Sequence, residues 1–248
     1  MKTLLFIGHP GHELLAHKFL SVYKPDVVFL TNGSGGVNKS RVHSSIRLIE
    51  SLGLKAHFPF EPYTDRQIYN LIQSNTVAEF LKLKLTLKNF IIKNNYKIIV
   101  GDALEGFNPS HDLCRYLINS IITELGTNHK IDNYEFFQED ISQNISGIRN
   151  EDDIIIKLND NDFEEKVKAY TEYSEIKFEV DKFLALYDKE LFTLEYFRKV
   201  TDSKNIIGWK TETPYYEEFG KKRVKDGLYK ELITFEDHMK VLANNLYL

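Results

Sequence analysis

The residues of this chain best suited to chemistry are three histidines. His9 and His12 stand three apart in Gly8-His9-Pro10-Gly11-His12-Glu13, directly after the apolar run Leu4-Leu5-Phe6-Ile7. His111 closes Asn108-Pro109-Ser110-His111, shortly after a second apolar run, Lys97-Ile98-Ile99-Val100. Imidazole is the commonest protein ligand for transition metals, and three imidazoles with a fourth position open form a catalytic zinc arrangement. The His9/His12 pair alone is weak evidence, because His-x-x-His recurs by chance and loop histidines also cap helices or bind hydroxyl groups. A fold that brings His111 to the pair is what the metal reading requires.

The elements that would do so are legible. Residues 3 to 8 are apolar on both parities, as in a strand buried on two faces, and Leu14 to Tyr23 carries helical spacing. Pro25 breaks that helix, and Asp26 to Thr31 reads as a second buried strand running into Asn32-Gly33-Ser34-Gly35-Gly36. Ser40 opens a helix through Leu52, Gly53 stops it, and Lys55-Ala56-His57-Phe58 supplies a short third strand before Pro59. Helices follow at Asp65 to Ser74 and Val77 to Lys93, then the strand at residues 97 to 100, with Asp102 just beyond it. Asn108 fits an N-cap and Pro109 the first helical position, which puts His111 in the first turn. Such alternation implies right-handed crossovers, a parallel sheet and loops gathered at its carboxyl edge. The expected architecture is therefore α/β, a Rossmann-like three-layer α/β/α arrangement with a mainly parallel sheet, and His9, His12 and His111 all fall at the same edge.

The later part of the chain is harder to read. Residues 128 to 161 are polar with one strand at Ile154 to Lys157, and a helical stretch is expected from Phe163 to about Val200. We read residues 1–248 as one domain, with 160–248 a helical C-terminal extension packed on it. Tyr215, Tyr216, Glu217 and His238 in the tail mix aromatic and polar groups as carbohydrate sites do, although tyrosines so spaced also pack terminal helices onto a core. His238 is the tail residue we assign to substrate binding. The remaining histidines, His17, His43, His57 and His129, are read as surface or satisfied core positions.

Composition narrows the function classes. Hydrophobic residues make up 42% and charged residues 27%, enough apolar material for a sizeable core. A formal net charge of -4 and a pI near 6.1 give no field for a phosphate backbone, so no nucleic-acid partner is expected. The one cysteine, Cys114, cannot form an internal disulfide and reads as a small packing residue. No secretory leader is recognisable and no run approaches the roughly 18 apolar residues of a membrane span, so the expected location is the cytoplasm. A homo-oligomer is compatible with all of this.

At this point a family resemblance is visible. Gly8 to Glu13, the loop Asn32 to Gly36, Arg41, Glu50, Gly53 and Asn108 to His111 together resemble the LmbE-like, or PIG-L, zinc-dependent de-N-acetylases of N-acetylglucosaminyl conjugates. The resemblance covers about the first half of the chain. In that family the first motif reads Ala-His-Pro-Asp-Asp-Glu and the second ends in His-Pro-Asp-His. The resemblance implies that His9 is the first ligand, that His12 takes the place of the second, an aspartate in the family, and that His111 is the third. The cofactor it implies is zinc, or another divalent transition metal. Two positions depart further: Gly11 stands where the family has its general base, and Asn108 where it has the first histidine of the second motif.

These departures shape the expected chemistry. Replacing an anionic ligand by a neutral imidazole leaves more positive charge on the metal, so bound water ionises more easily. A base from another loop would complete the site, and Asp102, Glu105, Asp112 and Glu13 are the carboxylates placed for it, Asp102 first because it follows a buried strand directly. In that role Asp102→Asn abolishes turnover and leaves metal content intact. Gly35, Arg41 and Asn108 are the expected substrate contacts, the glycine loop lining a sugar pocket rather than cradling a phosphate. The leading expectation is a metal-dependent hydrolase, a deacetylase acting on an N-acetylated amino sugar or its nucleotide or lipid conjugate in glycan biosynthesis. The alternative is a non-catalytic sugar-nucleotide or glycan binding protein on the same scaffold, and a third is another metal-assisted reaction on a glycan precursor.

Overall fold

The computed structural model describes residues 1–35, 39–138, 149–177, 181 and 189–248. Gly36 of the glycine loop, and residues 178–180 and 182–188 of the stretch expected to be helical, lie outside the described residues. Strands β1 (Thr3–Ile7), β2 (Asp26–Phe29), β3 (Ile98–Asp102) and β4 (Asp132–Phe136) run parallel to one another. β5 (Ile154–Lys157) and β6 (Leu194–Lys199) add an antiparallel edge, giving the order β2-β1-β3-β4-β6-β5. The sheet is thus mainly parallel, as expected.

The central strands are buried on both faces, which is why they read as continuous apolar runs. Leu4, Phe6, Val28 and Ile99 point to one side, against Ile68 of α3 (Asp65–Gln73), Leu87 of α4 (Val77–Asn94), Leu117 of α5 (Pro109–Leu125) and Leu242 near the C-terminus. Leu5, Ile7, Val27, Phe29 and Val100 point to the other, against Phe19 of α1 (His17–Tyr23) and Ile49 of α2 (Val42–Ser51). Each such side chain removed from water contributes about 1.5–3 kcal/mol. Two helical layers on one sheet give the three-layer α/β/α arrangement.

Four expectations need correction. The strand at 55–58 reduces to a single bridge, Ala56 beside Val27, where the Val27 N–H donates to the Lys55 carbonyl and the His57 N–H to the Val27 carbonyl. The helix expected from Leu14 begins instead at His17, after one 3-10 turn at His12–Leu14. β4 was not anticipated: Asp-Asn-Tyr-Glu-Phe is polar in alternation, yet Asn133 and Glu135 are buried because Arg115 donates to Asn133 and Arg198 to Glu135. The helical stretch beyond Phe163 ends early, since α6 spans Asp160–Glu172 and the chain returns as β6. Residues after 160 therefore contribute a strand to the main sheet as well as helices.

That returning strand is tied to α1 by charge. Glu195 of β6 accepts the backbone N–H groups of Lys18 (2.9 Å) and Phe19 (2.8 Å) at the start of α1, and the ammonium of Lys166 from α6 at 2.8 Å. A carboxylate at a helix N-terminus satisfies donors that the helix itself cannot. The tail is fastened through the loop before α5. Gly106 adopts φ +63°, and a side chain there would meet Trp209 at 2.7 Å, so only glycine lets the tail pack this closely. Tyr216 then donates its backbone N–H to the Gly106 carbonyl at 3.0 Å as α7 (Tyr215–Lys225) begins. The final helix is α8 (Lys240–Leu246), and no helix among the described residues is long and apolar enough to cross a membrane.

Candidate metal centre

His9 and His12 follow β1, and His111 lies in the first turn of α5, where Asn108 accepts the Ser110 N–H at 2.8 Å as the N-cap and Pro109 occupies the first position. β1 and β3 are adjacent and parallel, so both loops emerge side by side. The three rings converge. Their centroids are 5.2 Å (His9–His12), 5.0 Å (His9–His111) and 4.5 Å (His12–His111) apart, with every pair edge-on. One ligand-capable atom from each lies within 4.8 Å of the others. Tetrahedral zinc at 2.0–2.1 Å from each nitrogen needs separations of roughly 3.3 Å, so small ring movements complete a cradle.

The donor set fits a metal. His9 Nε2 and His111 Nδ1 are buried without a hydrogen-bond partner, a costly state for a protein atom that is not a ligand. Burial lowers the pKa of His12 and lowers that of His111 well below its ordinary value, with the neighbouring rings adding to the effect at His111, so both are neutral at pH 7 and have lone pairs to give. Carboxylates orient two of the rings from behind. His9 Nδ1 lies 2.9 Å from Asp65 Oδ1 and 2.7 Å from Thr31 Oγ1, and His12 Nδ1 lies 2.9 Å from Asp102 Oδ1. Such partners hold the tautomer that presents Nε2 to a metal.

Asp102 is consequently not where a base acting on water would stand. It is fully buried, its Oδ2 accepts the Gly8 N–H at 2.7 Å, and its Oδ1 accepts from His12 and from Gln138 Nε2 at 3.2 Å. Burial pushes its carboxyl up, but His12, His111 and the Gly8 amide more than offset this and hold it well below the usual range. Glu13 and Glu105, expected with it, also turn away from the cavity. Glu13 accepts the Gly11 N–H at 2.7 Å and binds Ser45, which in turn contacts the Tyr173 hydroxyl, and burial pushes its carboxyl up to about 7. Glu105 accepts the Gln138 backbone N–H at 2.7 Å. Each braces a loop through an oxygen that already accepts a backbone N–H.

The histidines floor a cavity of about 1010 Å³. Gly35, Arg41 and Asn108 line it. His238 does not: its Nδ1 accepts the Thr234 N–H at 3.1 Å and closes the turn ahead of α8. Gly11 also lines the cavity, at φ +109°, a conformation that L side chains rarely adopt, and a side chain there would meet Ile176 at 3.4 Å. That conformation favours glycine at the position where the resembled family has its base.

Sequence reasoning missed Asp65 and Gln138. Asp65 joins the metal cradle to the glycine loop: besides His9 and Thr31, it accepts from Ser34 Oγ (3.2 Å) and from the Gly35 N–H (2.7 Å). No signal marked it, since an acid after a capping Thr64 is ordinary at the start of a helix. Gln138 follows the unanticipated β4.

No protein-family model and no curated protein matches the sequence. Solved structures do match it in three dimensions. A deacetylase from the biosynthesis pathway of teicoplanin aligns with a TM-score of 0.56 at 11% identity, over 82% of this chain and all of that one. The A40926 pseudoaglycone deacetylase Dbv21 aligns at 0.52 with 12% identity, over 92% of this chain and 93% of its own. The resemblance to LmbE-like de-N-acetylases read from the motifs is borne out at the level of the fold, and this chain has the fold of these deacetylases.

Proposed function

We propose that the chain is a metal-dependent hydrolase that removes an acyl group, acetyl in the first instance, from an amino sugar or its conjugate in glycan biosynthesis. The observation that carries this reading is the convergence of His9, His12 and His111, two of them with buried unpartnered nitrogens, on the floor of one large cavity. The fold shared with deacetylases supports it. Zinc, or another divalent transition metal, would be held by these three residues and would supply Lewis acidity toward an amide carbonyl and lower the pKa of water to about 7. Asp65 and Asp102 keep the first two rings in the ligating tautomer. Asn108 and Arg41 border the space where the sugar would lie, and Gly35 brings backbone close to it.

Metal analysis of the purified protein is expected to show close to one equivalent, lost in His111→Ala, together with acetate release from N-acetylglucosaminyl conjugates. A native protein that stays metal-free when supplied with zinc would sink the reading. The second reading, a binding protein without turnover, is favoured by Gly11 and by the three inward-turned carboxylates. Metal-loaded protein that binds such conjugates and releases no acetate would establish it.

A further inference from the structure

α4 lies in an outer layer of the fold, yet it is apolar on two faces. One face is spent on the core, where Phe80, Leu83, Leu87 and Ile91 are buried. The outward face of a helix that borders water is ordinarily charged and polar, but here it carries large apolar side chains. Leu81 is 42% exposed, Leu85 51% and Ile92 42%. Together with Ala78 and Lys88 they recur at intervals of three, four, three and four residues. That alternation is the seam along which two helices pack, with a period of 3.5 residues, and from Ala78 to Ile92 it runs about 21 Å.

The polar member of the stripe has a counter-charge. The Lys88 ammonium meets the Glu124 carboxylate from the last turn of α5 at 2.5 Å, which holds its head aside and leaves its stem to pack. Scattered exposed apolar residues need no explanation, whereas a row along one helix face marks a contact surface. No residue of α4 lines the cavity above the histidines, so whatever covers this face leaves the candidate metal centre open.

Charge selects what covers it. One flank of the stripe carries Glu79 near the start of α4, then Lys82 and Asn89, and Lys93 near the end. A parallel copy of α4 would set Lys88 against Lys88 in the seam and align like charges along the flank. An antiparallel copy, related by a two-fold axis just beyond Leu85, sets Leu81 against Ile92 and Lys82 beside Asn89, and brings the acidic end of each flank to the basic end of the other. It also opposes the two helix dipoles. The stripe is thus complementary to itself when reversed. An anionic lipid surface suits it less well, since Glu79 and Glu124 border the same stripe.

We propose that α4 is the interface of a two-fold symmetric homodimer, in which the Leu81, Leu85 and Ile92 stripe of one copy packs antiparallel on that of a second copy of this chain. The interface rests on this stripe and its flanking charges, and it is independent of the hydrolase reading.

Sedimentation of the full chain over a concentration series tests it, and a species of twice 29.0 kDa is expected at the upper end. Leu85→Lys, at an exposed position and close to Lys88 of the second copy, should weaken association by at least about 100-fold, because the change is present twice in the dimer, with helix content and melting temperature retained. Cross-linking reads the register. Leu81→Cys and Ile92→Cys chains, mixed and treated with a short bis-maleimide, should couple to each other far more than either couples to itself; Cys114 is buried, so the introduced thiols are the ones that react. A chain that is monomeric throughout the series, a dimer that persists in Leu85→Lys, or mixed coupling no stronger than self-coupling would overturn the interface. A monomer that floats with phosphatidylglycerol vesicles would overturn it in favour of a lipid surface.

Discussion

Asp102→Asn separates the two roles that a carboxylate after β3 could have, orienting a ligand or taking a proton. The native side chain is an acceptor at both oxygens, toward Gly8 N–H at 2.7 Å on one side and toward His12 Nδ1 at 2.9 Å and Gln138 Nε2 at 3.2 Å on the other. Asparagine offers one acceptor and one donor in the same space. If its oxygen faces Gly8, its amide N–H group opposes His12 Nδ1, and the ring must move its proton to Nε2, the nitrogen a metal needs. If its oxygen faces His12, the buried Gly8 N–H loses its acceptor, at about 1–3 kcal/mol. Losing an outer partner of a ligand weakens metal binding about 10–100-fold, which is about 1.4–2.8 kcal/mol. Zinc affinity measured by competition with a chromophoric chelator should therefore fall by that factor, and the metal-free protein should melt lower by about 2–4 °C per kcal/mol. Asp102→Asn protein that binds zinc as tightly as the native chain and yet loses all hydrolysis would refute this reasoning and return Asp102 to the role of base.

Three further outcomes follow from the same geometry. Gly11→Asp places a side chain at φ +109° and should lower stability by about 1–3 kcal/mol in a urea melt without raising turnover; a stable, faster enzyme would show that only the residue type had been lost there. Arg115 is fully buried and donates to the Asp102 carbonyl (2.7 Å), Asn133 (2.8 Å) and the Tyr134 carbonyl (2.9 Å), so Arg115→Met should cost about 3–5 kcal/mol, and a change below 1 kcal/mol would deny it this role under β3 and β4. Burial raises the Asp26 carboxyl, but the Tyr96 hydroxyl at 2.6 Å, His57 and Lys2 overcome this and hold it below its ordinary 3.8, so its contribution is present above that pH and lost as pH falls through the lower folded-state value. Tyr96→Phe should accordingly be destabilised at pH 7, by about 1 kcal/mol, with the gap to the native chain narrowing below pH 3.8; a gap constant with pH would contradict the pairing.

The strands that sequence patterning finds are those whose burial is carried by apolar side chains. β1, β2 and β3 send alternate residues into two hydrophobic layers, and a run such as Leu4 to Ile7 has no other stable use. β4 and β6 obey a different rule. Asn133, Glu135 and Glu195 are buried because Arg115, Arg198, Lys166 and the first amides of α1 satisfy them, and those partners come from elements distant in sequence. A polar residue bonded at long range looks, in sequence, like a polar residue in a loop. This is why the stretch after Phe163 reads as continuous helix when part of it closes the sheet.

The site divides along the same line. The candidate ligands are local: a buried strand, a tight turn and two histidines at one place, an Asn-Pro-Ser-His helix start at another, with parallel pairing of β1 and β3 sufficient to bring them together. Roles that depend on direction are not local. Asp102 lies at the sheet edge, as its place directly after a buried strand implies, but whether its oxygens face the cavity or the back of His12 is set by the Gly8 amide and by Gln138, a residue just past the end of a strand that patterning does not find. A histidine ligand in the proposed centre would also give the carboxylate behind it a role. An imidazole presents a lone pair to a metal only if its other nitrogen keeps the proton, and Asp102 is the buried acceptor that holds it there. In the proposed centre the ring of His12 and the buried carboxylate behind it thus work as one unit, with the negative charge on the supporting residue and not on the ring.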